Sequence, residues 1–173
     1  MQKADFLIIG GGIAGLSAAA RLARHGRVAV LEAEEAIGYH SSGRSVTFSH
    51  FGIGNDAVRG LTAWSRAFFE APPKGFSEAP LYRRQPSLYF ADAGHMLQLE
   101  ALHSAIAHFT DSLRWADKEE IALLCPVLKT GLGAAERALV DTSGLKLDAD
   151  ALLQSFARSV RAHGGELNTG CRI

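Results

Sequence analysis

Near the N-terminus, four consecutive apolar residues, Phe6-Leu7-Ile8-Ile9, run into Gly10-Gly11-Gly12-Ile13-Ala14-Gly15. A short apolar run bounded by polar and glycine residues predicts a strand buried on both faces, as in a parallel sheet. The glycines break that strand. From Ile13 to His25 the residues are strong helix formers, with Leu16, Ala19, Ala20, Leu22 and Ala23 covering a broad apolar face. Gly26 stands where a glycine C-cap is favoured, with Arg24 and His25 near the negative end of the helix dipole. Arg27 to Leu31 predicts a second strand ending at Glu32. Strand, glycine turn, helix, strand is a right-handed βαβ unit, and it sets the fold class as α/β, Rossmann-like.

The glycine spacing carries chemistry. Gly10-x-Gly12-x-x-Gly15 fits the dinucleotide fingerprint. Its first glycine permits a tight turn, the second lets backbone approach a pyrophosphate, and the third allows close helix–strand packing. The N-terminus of the following helix adds free N–H groups and a partial positive charge. Glu32 lies 20 residues after Gly12, where an acid accepts hydrogen bonds from ribose hydroxyls and repels a 2′-phosphate. NADP is thereby disfavoured, while FAD and NAD both remain open. The bland alternative is a tight βα turn with an incidental surface glutamate.

Beyond Glu32 the pattern changes. Residues 33–54 are rich in Gly and Ser without a sustained period and predict loop, with a short helix after Ser42. Asp56 to Glu70 predicts a helix with Asp56 as N-cap and Val58, Leu61, Phe68 and Phe69 at near-helical spacing; Pro72-Pro73 ends it. Leu88-Tyr89-Phe90 predicts a strand of a different sheet. Helices follow at 95–109 and 117–125, the second stopped by Pro126, and then a strand around 135–140. Asp148 to His163 is an amphipathic helix with Leu152, Leu153, Phe156 and Val160 inward, and residues 166–173 open another strand. Three strands suit one parallel sheet where a doubly wound sheet has five or six. The expectation is a truncated chain.

Composition excludes other classes. Eighteen Lys+Arg balance eighteen Asp+Glu, which argues against a nucleic-acid-binding chain, and 47% hydrophobic residues suffice for a core. Cys125 and Cys171 are too few and isolated for a disulfide framework or a zinc site. His103 and His108, five apart, do not share a helix face, so no metal is expected. Trp64, Trp115 and the phenylalanines read as core, and Cys125 as a buried structural thiol. The segment 6–20 is interrupted by four glycines and fits neither a signal peptide nor a membrane span. A cytoplasmic location is expected.

The stretch from Asp5 to Gly26, followed by Val28-Ala-Val-Leu-Glu32, resembles the flavoprotein form of the fold, placed near the N-terminus as in FAD enzymes of the D-amino-acid oxidase family. Gly38-Tyr-His-Ser-Ser-Gly-Arg-Ser45 is similar to that family's Ser/Thr-rich segment after the ribose acid. Residues 63–73 look most like the bacterial D-arginine dehydrogenases. The resemblance implies that Gly10, Gly12, Ile13, Ala14 and Gly15 hold the pyrophosphate and Glu32 the ribose. It implies that Ala33 touches the adenine side and that Ser41, Ser42 and Gly43 lie near the phosphates. Arg44, Ser45, Val46, Thr47 and Phe48 would run beside the flavin ring, and Ile173 would hold adenine through its backbone. The chain would comprise an FAD-binding part at 1–48 and 141–173 and a partial inserted cap or substrate domain at 49–140.

The implied reaction is oxidation of an amine Cα–H bond of a D-amino acid or related amine, followed by hydrolysis of the imine to a 2-oxo acid and ammonia. No catalytic base is assigned, and the electron acceptor is left open. Relatives of the D-arginine dehydrogenase type carry histidine, tyrosine and a substrate-binding glutamate where this chain has Phe48, Ile53 and Ser87. Without the glutamate a cationic side chain lacks a compensating charge, which points to a less basic substrate. His50 is a candidate substrate contact in the same segment. The rival readings are a non-catalytic dinucleotide-binding fragment or interaction module, and an NAD-binding dehydrogenase.

Overall fold

A computed structural model describes residues 3–172. In chain order the elements are β1 (Phe6–Ile9), α1 (Ile13–Leu22), β2 (Val28–Leu31), α2 (Ser41–Arg44), β3 (Phe48–Ser49) and α3 (Asp56–Glu70). Then come β4 (Tyr82–Arg84), β5 (Ser87–Ala91), a 3-10 turn (Ala93–His95), α4 (Met96–Ile106), β6 (Leu113–Asp117) and α5 (Lys118–Leu124). The chain continues through β7 (Arg137–Asp141), β8 (Leu145–Leu147), α6 (Ala149–Ala162) and β9 (Glu166–Asn168). These elements form two compact units. The first comprises residues 1–47, 70–81 and 147–173, and the second residues 48–69 and 82–146.

The first unit is built on a parallel sheet in the order β1-β2-β9, with Ile8 opposite Val30 and Val30 opposite Leu167. These are the three strands expected to share a sheet. Helices α1 and α6 pack on each other, and Leu16, Ala19, Leu152, Ala157 and Val160 are buried with Val28 and Val30. Each large side chain so buried stabilises the unit by roughly 1.5–3 kcal/mol. Asp148 caps α6 by accepting the Ala151 N–H at 2.8 Å.

Two expectations are corrected here. Leu7 and Ile9, at alternate positions of β1, are exposed, so β1 is covered on one face and not on both. An apolar run is compatible with either arrangement, because it does not say which face receives helices. Helix α1 ends at Leu22, before Gly26, where His25 N–H bonds Leu22 O at 2.8 Å and the chain tightens into a turn.

The second unit centres on an antiparallel sheet in the order β5-β7-β6. Side chains alternate across it. Ala138, Val140 and Ala116 pack with Ile121 of α5 on one face, and Leu139 and Ala91 pack with Leu99 of α4 on the other. A smaller sheet has the order β3-β8-β4.

Helix α3 has the expected bounds, but its apolar spacing does not mark its buried face. Arg59 faces inward, its Nε donating to Phe51 O at 2.9 Å, while Trp64 is 76% exposed and Leu61 and Val58 are exposed with it. Trp64 is therefore not core among the described residues. Asn55, not Asp56, caps this helix, its Oδ1 accepting the Val58 N–H at 3.2 Å. Asp56 opens the first turn and pairs with Arg59 Nη1 at 3.0 Å. Cys125 is half-buried rather than sealed.

Candidate functional site

The turn after β1 is held from below. Gly10 N–H donates to Leu31 O at 2.8 Å, and Gly10 has φ +100°, a conformation that glycine adopts without strain. A Cβ on Gly15 would collide with Gly10 O, so the first turn of α1 lies against the end of β1 only because Gly15 has none. The first and third glycines thus sit in the conformations their spacing calls for.

Gly11, which the fingerprint leaves unspecified, has its own role. Its N–H donates to Glu32 Oε2 at 2.6 Å, and a Cβ there would lie 3.1 Å from that oxygen. Glu32 Oε1 accepts the Glu34 N–H at 3.0 Å. The amides of Glu34 and Gly11 favour the carboxylate and hold its pKa below the usual 4.5, although only 9% of the residue is exposed. A carboxylate offers about four acceptor positions, so each oxygen keeps a lone pair for a further donor. The sequence signal for Gly11 was the unbroken run of three glycines.

The segment 38–44 folds onto this turn. Gly38 N–H donates to Gly11 O at 3.0 Å, and Ser42 Oγ accepts the Ile13 N–H at 3.0 Å. Gly12 lies so close that its Cβ would be 3.2 Å from Ser42 Oγ. Ser42 comes from α2, which starts at Ser41 and so includes the residue after which a helix was expected. Its hydroxyl accepts from the helix and keeps its own proton to donate outward. Ile13 and Ala14 are exposed, as are Ser41, Gly43, Arg44, Ser45 and Val46. The start of α1 is therefore open to an anion, with a hydroxyl beside it.

Further along, the Arg44 guanidinium lies 4.6 Å over the Tyr39 ring. Thr47 has φ +51°, a left-handed conformation costly for a β-branched residue, and is tied to Ser45 by two hydrogen bonds of 3.0 and 3.1 Å. Ala33 is exposed beside Glu32. The chain after β9 returns along this edge, with Gly170 N–H on Glu34 O at 2.9 Å and Cys171 N–H on Glu32 O at 2.8 Å. The strand expected over 166–173 ends at Asn168, and these two backbone bonds belong to the chain beyond it. Ile173 lies outside the described residues.

The structure thus gathers Gly10, Gly12, Ile13, Ala14, Gly15, Glu32 and Ser42 around one turn. Phe48 belongs to the second unit. There its ring lies 4.9 Å from that of His50, and His50 Nδ1 is 2.8 Å from the Tyr89 hydroxyl. Burial lowers the pKa of His50 and raises that of Tyr89. Asp141, opposite Ser87 in the β5–β7 register, is fully buried, and its Oδ1 accepts the Ser143 N–H at 2.8 Å. Among the described residues no group of three metal-ligating side chains occurs, and no helix is long and apolar enough to cross a membrane.

Residues 5–173 match the family model described as FAD dependent oxidoreductase. Among solved structures, the chain is similar to the L-alpha-glycerophosphate oxidase of Mycoplasma pneumoniae, solved with FAD bound, at TM-score 0.84 and 18% identity over 98% of this chain and 45% of that one. It is similar to glycine oxidase from Bacillus cereus at TM-score 0.80 and 20% identity, over 97% of this chain and 46% of that one. L-Amino acid deaminase from Proteus myxofaciens, in complex with anthranilate, matches at TM-score 0.80 and 20% identity, over 100% and 39%. At these identities the likeness concerns the fold. The chain spans less than half the length of each of these proteins.

Proposed function

The chain belongs to the FAD-dependent oxidoreductase family, and we propose that its first unit binds the ADP portion of FAD at the turn between β1 and α1. The observation that carries this reading is the pairing of an exposed helix start with Ser42, whose hydroxyl accepts from Ile13 and has a proton left for a phosphate oxygen. Gly10, Gly12, Ala14 and Gly15 supply the close backbone approach, with Ser41 and Gly43 flanking the phosphates. Glu32 takes the ribose through its spare lone pairs, and Ala33 borders adenine. In this reading Arg44, Ser45, Val46 and Thr47 lead toward the flavin ring, with Phe48 and Ile173 as further contacts. The residues fit the group: the three positions where a Cβ would crowd the turn, Gly11, Gly12 and Gly15, are glycines, and the buried carboxylate is held ionised.

FAD supplies a two-electron acceptor. The reading of the whole protein is oxidation of the CH–NH2 group of an amino acid, with a D-amino acid of weakly basic side chain as the preferred class. The amino-acid-directed names of two structural neighbours support the amine. Ser87, in place of the glutamate of D-arginine dehydrogenase-like relatives, supports the weakly basic side chain. The second unit is then the substrate-side portion.

Titrating the purified chain with FAD and NAD, followed by flavin fluorescence and calorimetry, tests the reading. FAD is expected to bind and to raise the melting temperature, with Glu32→Gln weakening it about tenfold or more, as loss of a charge-assisted hydrogen bond predicts. Binding of NAD with no response to FAD would overturn it.

A further inference from the structure

Two donors converge on one nitrogen of His50. Gly52 N–H points at Nδ1 from 3.2 Å, and the Tyr89 hydroxyl lies 2.8 Å from the same atom. A backbone amide can only donate, so Nδ1 carries no proton, and the hydroxyl must donate to it as well. The imidazole proton therefore resides on Nε2. Burial keeps the ring neutral and the phenol protonated near neutral pH, while the charge of Asp141 pulls the other way on His50 with smaller effect. Gly52 is what admits the phenol, because a Cβ there would run into the Tyr89 ring. The rings of Phe48 and Tyr89 flank the imidazole with tilts of 30° and 33° and fix its plane.

What remains is a single oriented donor. His50 Nε2–H has no acceptor among the described residues, and it is not among their sealed polar atoms. A neutral, pre-aimed N–H recognises an sp2 oxygen, whether carboxamide or carboxylate, and offers nothing to a guanidinium or ammonium.

We propose that His50 is a specificity-determining residue that donates from Nε2 to a side-chain carbonyl-type oxygen of the substrate, with Tyr89 as the positioning residue that sets its tautomer. The proposal rests on the amino-acid reading above and extends it, replacing a weakly basic side chain by one that ends in an oxygen acceptor.

The test uses the full chain labelled with 15N at histidine, and NMR spectra that distinguish protonated from unprotonated ring nitrogens. In the free protein His50 is expected as the pure Nε2–H form. Tyr89→Phe is expected to mix the two tautomers while the amide fingerprint stays folded. D-Asparagine and D-aspartate should shift the His50 signals saturably, at least fivefold more weakly in Tyr89→Phe, and D-arginine should not. A proton found on Nδ1 in the wild-type chain overturns the proposal without any variant. Equal shifts from D-arginine, or none from any probe, overturn it too. Titrating the same sample with FAD separates the two readings, since a chain that binds FAD while His50 ignores all three probes loses only this inference.

Discussion

Gly11 and Glu32, 21 positions apart in the chain, are joined by a hydrogen bond of 2.6 Å from the glycine amide to carboxylate Oε2. The bond ties the tip of the glycine turn to the end of β2, so the acid proposed to take a ribose also fixes the loop proposed to take the phosphates. Replacing Glu32 by glutamine puts an NH2 in one of two places that face backbone donors. Glu32→Gln is therefore expected to lose stability as well as FAD affinity, whereas an acid serving only the ribose would lose affinity alone. Chemical denaturation of the free chain distinguishes these, with a loss of about 1.5–3 kcal/mol expected.

The same contacts set an acid limb. Glu32 has a folded-state pKa below its ordinary 4.5, so its contribution is fully present above that value and is lost as pH falls through the lower, folded one. Melting temperatures of wild type and Glu32→Gln should converge as the pH is taken below 4.5. A constant gap between them down to the acid transition would contradict the assignment.

Two glycines give opposite outcomes on substitution by alanine. At Gly15 the new methyl meets Gly10 O, and relief requires separating α1 from β1, at or beyond the ~3 kcal/mol upper range of overpacking. At Gly60, inside α3, the methyl meets nothing within 4 Å, and the helix gains roughly 0.5–1 kcal/mol of propensity. Thermal melts should place the two variants on either side of wild type.

The glycine turn, Glu32 and the parallel trio of strands were legible because each is encoded locally, in spacing and in short apolar runs. Ser42 was legible as a family feature but not as a cap on Ile13, since the contact spans 29 positions and depends on how Gly38 and Gly43 fold the intervening loop. Strand β6 was missed because Leu113-Arg-Trp-Ala-Asp117 mixes charged and apolar residues and offers no apolar run like Leu88-Tyr-Phe90 of β5. Leu7, Ile9 and Trp64 failed differently: apolarity says that a face can be buried, and packing decides whether it is. The His50–Tyr89 pair, 39 positions apart, carried no local signal at all.

Helix α3 makes that failure measurable. Arg59 is buried with its Nε on Phe51 O, while Trp64 projects outward. Arg59→Met should leave a buried carbonyl unpaired and cost about 1–3 kcal/mol. Trp64→Ser should stay within roughly 0.5 kcal/mol of wild type. A hydropathy pattern would order the two the other way, and urea midpoints of both variants decide it.

His50 makes an opposite demand to that of an exposed histidine. Its folded pKa is depressed below the ordinary 6.5 by burial among Phe48, Tyr89 and Gly52, against the opposing charge of Asp141. Above pH 6.5 the ring is neutral in both folded and unfolded chains, and it is without effect on the pH dependence. As pH falls below 6.5, the unfolded chain takes up a proton that the folded one resists, so stability declines until the folded pKa is passed. His50→Asn keeps an acceptor for Gly52 and Tyr89 but does not titrate. Its stability relative to wild type should therefore rise as pH is lowered from 7 to 5. A relative stability that stays flat across that window would mean the ring protonates freely, and the donor on Nε2 would then belong to an imidazolium rather than to a neutral imidazole.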